Sequence, residues 1–321
     1  MSCVRRPKGF DPRALGARLL GLWIVALMWG VAESVAQDDP GPTTGTVPAG
    51  DMRQERLMQR YQKMVQFNLD GDRTLPSSLI DSLMVEFSTL DLGQRIAAWA
   101  DYFRKRGDAK YIFGLQPGGY AHEGRLVDDF GTDCILFFYR TTELGRSSNA
   151  LEAVQFAFGT RFYGATLEEV VNEQGQVDYD SPVHLDYAVD MIRSGLWGKD
   201  ATETLGPSEP DRAGSTRFEP DSVRYIPREK INFGVLRSGD GVFFVSDEST
   251  ALGKKLRATG AIIGHVGILR VEDGQVYLIH PASKPLEGVY AGGKVEKVLL
   301  ETYLKRVESF KGIMIVRIEN F

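Results

Sequence analysis

Apolar positions along this chain recur first at helical spacing and later at strand spacing. From residue 51, "DMRQERLMQRYQKMVQF", "PSSLIDSLMVEFSTL" and "DLGQRIAAWADYFRKRG" carry the helical pattern. In the third, Ile96, Trp99 and Phe103 form the apolar stripe, Asp91 and Gln94 make a capping-box-like start, and Gly107 marks the stop. These stripes predict core rather than binding surface. Two further helices are predicted at "SSNALEAVQFAFG" and "HLDYAVDMIRSGLWG". Past residue 230 the pattern changes to "DGVFFVS", "AIIGHVGILRV", "QVYLIH" and "GIMIVRI", short runs rich in β-branched and aromatic residues that predict strands. The intervening residues 200–230, rich in Pro, Gly and charge, predict a long surface loop. There is no internal repeat. Helices followed by strands predict an α+β fold, an antiparallel sheet packed against helices.

The N-terminus reads differently. Arg5, Arg6, Lys8, Arg13 and Arg18 precede the apolar run Leu19 to Ala32, and "ESVAQ" then supplies small residues where a signal peptidase cuts. This predicts a signal peptide over residues 1–36, cut after Ala36, and hence a periplasmic or secreted protein. The run holds 14 residues, against about 20 for a bilayer span, so no stable membrane span is expected after cleavage; an uncleaved anchor is the alternative. "DDPGPTTGTVPAG" predicts a flexible linker within 37–50. A helical section over 51–107 and a catalytic domain over 108–321 complete the predicted organisation. Losing five basic and two acidic side chains with the signal takes the net charge from −5 to about −8. An acidic surface gives no support to a nucleic-acid partner.

Signal cleavage also removes Cys3, so Cys134, in "DDFGTDCILFF", is left without a disulfide partner. Such a thiol is either inert and buried or a nucleophile. Gly131 can turn, Thr132 or Asp133 can cap, and "CILFFYRTTELG" can run as a helix ending at Gly145. A helix start would lower the thiol pKa from about 8.5. The same run read as a buried strand would hold an inert thiol. A thiolate needs a base, and the chain has four histidines: His122, His184, His265 and His280. The last two flank "VEDGQV", whose Asp273-Gly274 pair is a tight-hairpin signature. With that turn His280 lies opposite Gly267 and His265 opposite Ala282, so both imidazoles project from one face. This suits a base, His265, oriented by a second polar residue, His280. The same residue types can bind zinc, but the close histidine spacing of metallopeptidases is missing. Neither metal nor cofactor is expected.

"DC" before an apolar helix, then "SGDGVFF", "GHVGIL" and "YLIHPAS", resembles the NlpC-type papain-like cell-wall peptidases. The longer pieces "KYIFGLQ", "EGRLVDDFGTDC", "VDYDSPVHLDYAVDMIRSGLWGKDATETLG" and "TYLKRVESFKGIMIVRI" are similar to a branch of that superfamily, the N-acetylmuramoyl-L-alanine amidase-like proteins first catalogued as a domain of unknown function. The resemblance runs from about Lys110 to the C-terminus and implies a papain-like, NlpC-type fold with extra N-terminal helices and the nucleophile at a helix start. It makes Cys134 the nucleophile, His265 the general base and acid, and His280 the orienting member. Tyr111, with Tyr120 as rival, Asp133 and His184 fall in the oxyanion- and substrate-binding set. Pro182 and Ile135 depart from the family's arginine and threonine, which bears on substrate preference. The implied activity is cleavage of the N-acetylmuramoyl-L-alanine amide of peptidoglycan or muropeptides through a thioester. A γ-D-glutamyl-diamino acid endopeptidase of the same fold and a non-catalytic murein-binding protein are the alternatives. A lipid acyltransferase is a further reading, in which known permuted members place histidine before cysteine.

Overall fold

The structure, a computed structural model, describes residues 49–319 apart from 70, 72, 186, 187, 217, 219 and 220. The expected signal peptide and residues 37–48 of the expected linker lie outside the described residues. Helix α1 (Ala49–Leu69) begins just inside the linker expected to run to residue 50. Along the chain the division between two units falls at 54/55, giving Met1–Gln54 and Glu55–Phe321. In the first, the described residues 49–54 are helical.

Helices α2 (Ser77–Phe87) and α3 (Leu92–Arg106) follow. The start of α3 is fixed as its sequence predicts: the Asp91 carboxylate accepts from the Gln94 N–H at 2.8 Å. Its end is fixed by Gly107, which takes the left-handed conformation (φ 74°) that other residues adopt at a cost. The face carrying Ile96, Trp99, Ala100 and Phe103 is buried and packs against α4 (Cys134–Arg146), with Phe103 and Phe137 edge to face at 6.4 Å. The two helices touch at Gly145, where a Cβ would lie 2.4 Å from the Ile96 side chain. Residues 75–106 therefore share one core with the later chain.

The remaining helices are α5 (Ala150–Arg161), α6 (Leu167–Val170), α7 (Ala188–Ser194), α8 (Thr202–Leu205), α9 (Ala251–Ala258) and α10 (Leu300–Arg306). The strands are β1 (Lys110–Tyr111), β2 (Gly131–Thr132), β3 (Lys199–Asp200), β4 (Glu209–Arg212), β5 (Ser222–Pro227), β6 (Gly241–Ser246), β7 (Ile263–Glu272), β8 (Gln275–Ala282), β9 (Lys294–Leu299) and β10 (Phe310–Arg317). They form one sheet in the order β2-β1-β9-β8-β7-β6-β10-β5-β4, with β3 also on β10. The architecture is α+β. The expected antiparallel sheet needs one correction, because β1 and β2 pair in parallel. Alternate strand residues bury both faces: Phe243, Val266, Ile268 and Ile279 join the α3 and α4 core, while Phe244, Leu269, Leu278 and Ile315 join Leu300 and Tyr303 of α10.

The loop expected over residues 200–230 is also corrected. It contains α8 and the antiparallel pair β4–β5, and β5 extends the sheet through β10. Val223 and Tyr225 of "SVRYIP" are buried between exposed Ser222 and Arg224, an alternation that the surrounding Pro, Gly and charge mask. Beneath α4 and α5 lies a buried ion pair. Arg161 donates three times to Glu143, at 2.8, 2.8 and 3.0 Å, once to the Leu126 carbonyl at 2.7 Å and once to the Tyr179 hydroxyl at 2.9 Å. Its guanidinium also lies over the Tyr139 ring at 4.4 Å.

Candidate active site

Three aspartates anchor the segment "DDFGTDC". Asp128 accepts from the Phe130 and Gly131 N–H groups and pairs with Arg73. Asp129 is buried, accepting from the Leu75 N–H at 2.9 Å and from Arg140 at 2.7 and 3.1 Å. Asp133 caps α4 through the Ile135 and Leu136 N–H groups, at 3.0 and 2.9 Å, and its second oxygen takes the Gly114 N–H at 2.9 Å. Sequence reading presents Asp133 as a helix cap and the acids near Asp128 as turn composition. Their partners lie up to 55 positions away, which composition does not show.

Cys134 is the first residue of α4 and is partly exposed. Its sulfur meets the backbone N–H groups of Val266, Ile135 and Cys134 itself, which favour the thiolate. Burial first, and the Asp133 carboxylate second, outweigh them and push the thiol up to about 12. The lowered pKa expected from the helix start is therefore reversed. Helix dipole and three donors act on a sulfur withdrawn from water beside a carboxylate.

The β7–β8 hairpin has the predicted turn, with Asp273 and Gly274 both at positive φ (50° and 75°). Its ladder runs from Glu272 opposite Gln275 to Ile268 opposite Ile279, the predicted register. Past that ladder the imidazoles meet, His265 Nε2 to His280 Nδ1, at 2.7 Å. Two glycines make the room. At Gly264 the β6–β7 pairing shifts by one residue, a bulge just before His265 that re-aims its side chain. At Gly267 a Cβ would lie 2.5 Å from Leu278 and 3.1 Å from the His280 Cβ. Burial draws His265 down to about 4. His280 lies well below its ordinary value through burial first and neighbouring His265 second, the Pro281 backbone opposing. At neutral pH thiol and both imidazoles are uncharged.

The Tyr111 hydroxyl is hydrogen-bonded to the Ser283 side chain, and burial first and proximity to Cys134 second raise its pKa. Tyr120 is core, buried and edge to face with Tyr179 at 5.3 Å. Structure thus gathers Cys134, Asp133, Tyr111, His265 and His280. His184 stands apart, 8% exposed, its ring 4.8 Å from Tyr179 and 5.4 Å from Phe162. A cleft of about 680 Å³ lies on that side, its lining including Leu115, Ala121, Gln176 and Tyr179. None of Cys134, His265 or His280 lines it. His184 backs the cleft wall through Tyr179.

Two aromatic residues of the site escape sequence reasoning. Tyr303 of α10 lies 5.0 Å from His280 and 6.1 Å from His265, and Tyr290 lies 5.5 Å from His280. The piece "TYLKRVESFKGIMIVRI" contains Tyr303, but nothing local connects it to residue 280.

Among solved structures, a Legionella pneumophila protein of the family DUF1460 is similar over 76% of this chain and 95% of its own, at 17% identity and a TM-score of 0.54. An N-acetylmuramoyl-L-alanine amidase from Bacteroides uniformis is similar over 71% of this chain and 99% of its own, at 18% identity and a TM-score of 0.51. The chain shares their fold. No family model and no curated protein matches the sequence. Among the described residues no group of side chains is arranged to hold a metal ion, and no helix is long and apolar enough to cross a membrane.

A protonated thiol makes a direct prediction. Iodoacetamide attacks through the thiolate, so Cys134 in the substrate-free protein is expected to react at pH 7 orders of magnitude more slowly than a free thiol of pKa about 8.5. The rate should keep rising beyond pH 10, and Asp133→Asn should raise it at pH 8 by removing the neighbouring negative charge. A rate that plateaus between pH 5 and 7 contradicts the neutral resting pair.

Proposed function

We propose that this protein is an exported, cysteine-dependent hydrolase of papain-like, NlpC-type fold that cleaves the N-acetylmuramoyl-L-alanine amide of peptidoglycan or muropeptides. The observation that carries the reading is the Cys134 sulfur held against the Val266 N–H, next in sequence to His265, whose Nε2 bonds His280 Nδ1. The shared fold with the Bacteroides uniformis amidase supports it. Export rests on the sequence of residues 1–36.

In this mechanism His265 takes the Cys134 proton as the sulfur attacks the lactyl carbonyl carbon. Negative charge forms on the carbonyl oxygen, faced by the Cys134 backbone N–H and by the Tyr111 hydroxyl. His265 then gives its proton to the alanine nitrogen, the C–N bond breaks, and a thioester remains. Water, deprotonated by the same imidazole, attacks that thioester, and the sulfur leaves with the proton restored. The lactyl acid is released. His280 keeps the His265 ring turned toward the sulfur.

Mass spectrometry of a disaccharide-tetrapeptide incubated with residues 37–321 tests this. Free disaccharide and intact tetrapeptide are expected, and neither with Cys134→Ala. A shortened muropeptide would mean the endopeptidase, and no cleavage of this or of polymeric murein would leave a binding role.

A further inference from the structure

The face that carries the histidines continues sideways into unpaired positive charge. His280 pairs with Glu296 across β8–β9, and Ala282, two residues on, pairs with Lys294. Lys294 in turn pairs with Lys110 of β1. Partners across a ladder share a face, as do residues two apart, so both lysines lie on the histidine side. Lys284 comes from the adjoining loop, directly after Ser283, the hydrogen-bond partner of Tyr111. All three lysines are exposed, and among the described residues none forms an ion pair. The carboxylate on this face, Glu296, accepts the Gly292 N–H at 3.1 Å.

Like charges directly opposite each other in a sheet destabilise it. A chain of net charge −5 has carboxylates to spare, yet Lys110 and Lys294 face one another without one. The cleft on the Leu115 side has the reverse character: Glu123, Glu168, Glu169, Asp178 and Asp180 line it against Arg60. The two ends of a muropeptide also differ in charge. Its disaccharide is neutral, and its stem carries free carboxylates beginning at the residue after L-alanine. We propose that Lys110, Lys294 and Lys284 bind stem-peptide carboxylates on the leaving-group side of the scissile amide, with the neutral disaccharide directed toward the acidic cleft. This deepens the amidase reading and rests on it.

The test compares wild type with Lys110→Gln/Lys294→Gln on a disaccharide-tetrapeptide bearing free carboxylates and on its carboxamide form. Two exposed charges correspond to about a tenfold loss. The double variant should lose about that much kcat/KM on the carboxylate form, through KM, and nothing on the carboxamide. Raising salt should weaken wild type more than the double variant, which keeps Lys284. Removing facing like charges should leave Tm unchanged or higher, so lost affinity will not reflect unfolding. Calorimetric titration of both proteins with free stem tetrapeptide and its carboxamide gives a readout without turnover. Equal binding of all four combinations overturns the proposal. Charge-dependent binding by wild type with no cleavage of either substrate would uphold the lysine site and sink the amidase activity alone.

Discussion

His265→Ala is expected to lower kcat on a muropeptide by about 10⁴, the upper range for loss of a general base. The ring has two duties in the proposed cycle, accepting the thiol proton and delivering it to the leaving amine. Without it a thiol held near 12 is left to ionise by itself. His280→Ala should cost less, about 10², because the imidazole at 265 remains and loses only its 2.7 Å orienting partner. His280→Asn, which can still face His265 Nε2 with an acceptor, should recover part of that loss. Single-turnover rates on the three variants check the ranking. Equal loss from His265→Ala and His280→Ala would mean that the pair acts as an inseparable unit. Little loss from His265→Ala would remove it from the mechanism.

Arg161→Met is expected to destabilise the fold by about 3–5 kcal/mol, the cost of leaving one member of a buried pair unpartnered. Arg161 is fully buried, and its five N–H donors serve Glu143, Leu126 and Tyr179. Glu143, itself 1% exposed, would be left as a carboxylate in apolar surroundings or forced to take up a proton. The companion variant Arg161→Met/Glu143→Leu should recover much of the loss, because it removes both charges and fills the space with carbon. Urea unfolding of the three proteins measures this. A double variant no more stable than the single one would show that the contacts to Leu126, Tyr179 and the Tyr139 ring outweigh the ion pair.

The parts of this molecule visible in its sequence are those set by neighbours along the chain. Asp91 and Gly107 bound α3 because cap and stop act within a few residues. The histidine pair was legible because a two-residue turn fixes the register of everything beyond it. What was not legible depends on contacts distant in sequence. The Asp133 side chain reaches back to Gly114, Tyr303 arrives from α10, and the thiol pKa follows from burial that no helix-start argument contains. The β4–β5 pair was missed for another reason. Its turn-forming, charged composition is that of a loop, and only the sheet edge offered by β10 makes β5 a strand.

An uncharged Cys134 has a consequence outside the cycle. Stepwise oxidation of cysteine starts from the thiolate, and so does mixed-disulfide formation with small thiols. A sulfur that gives up its proton only while a substrate carbonyl is in place offers oxidants little to attack during idle periods. For a protein proposed to work beyond the reducing cytoplasm, and to lose Cys3 with its signal peptide, that protection would lengthen the working life of each molecule.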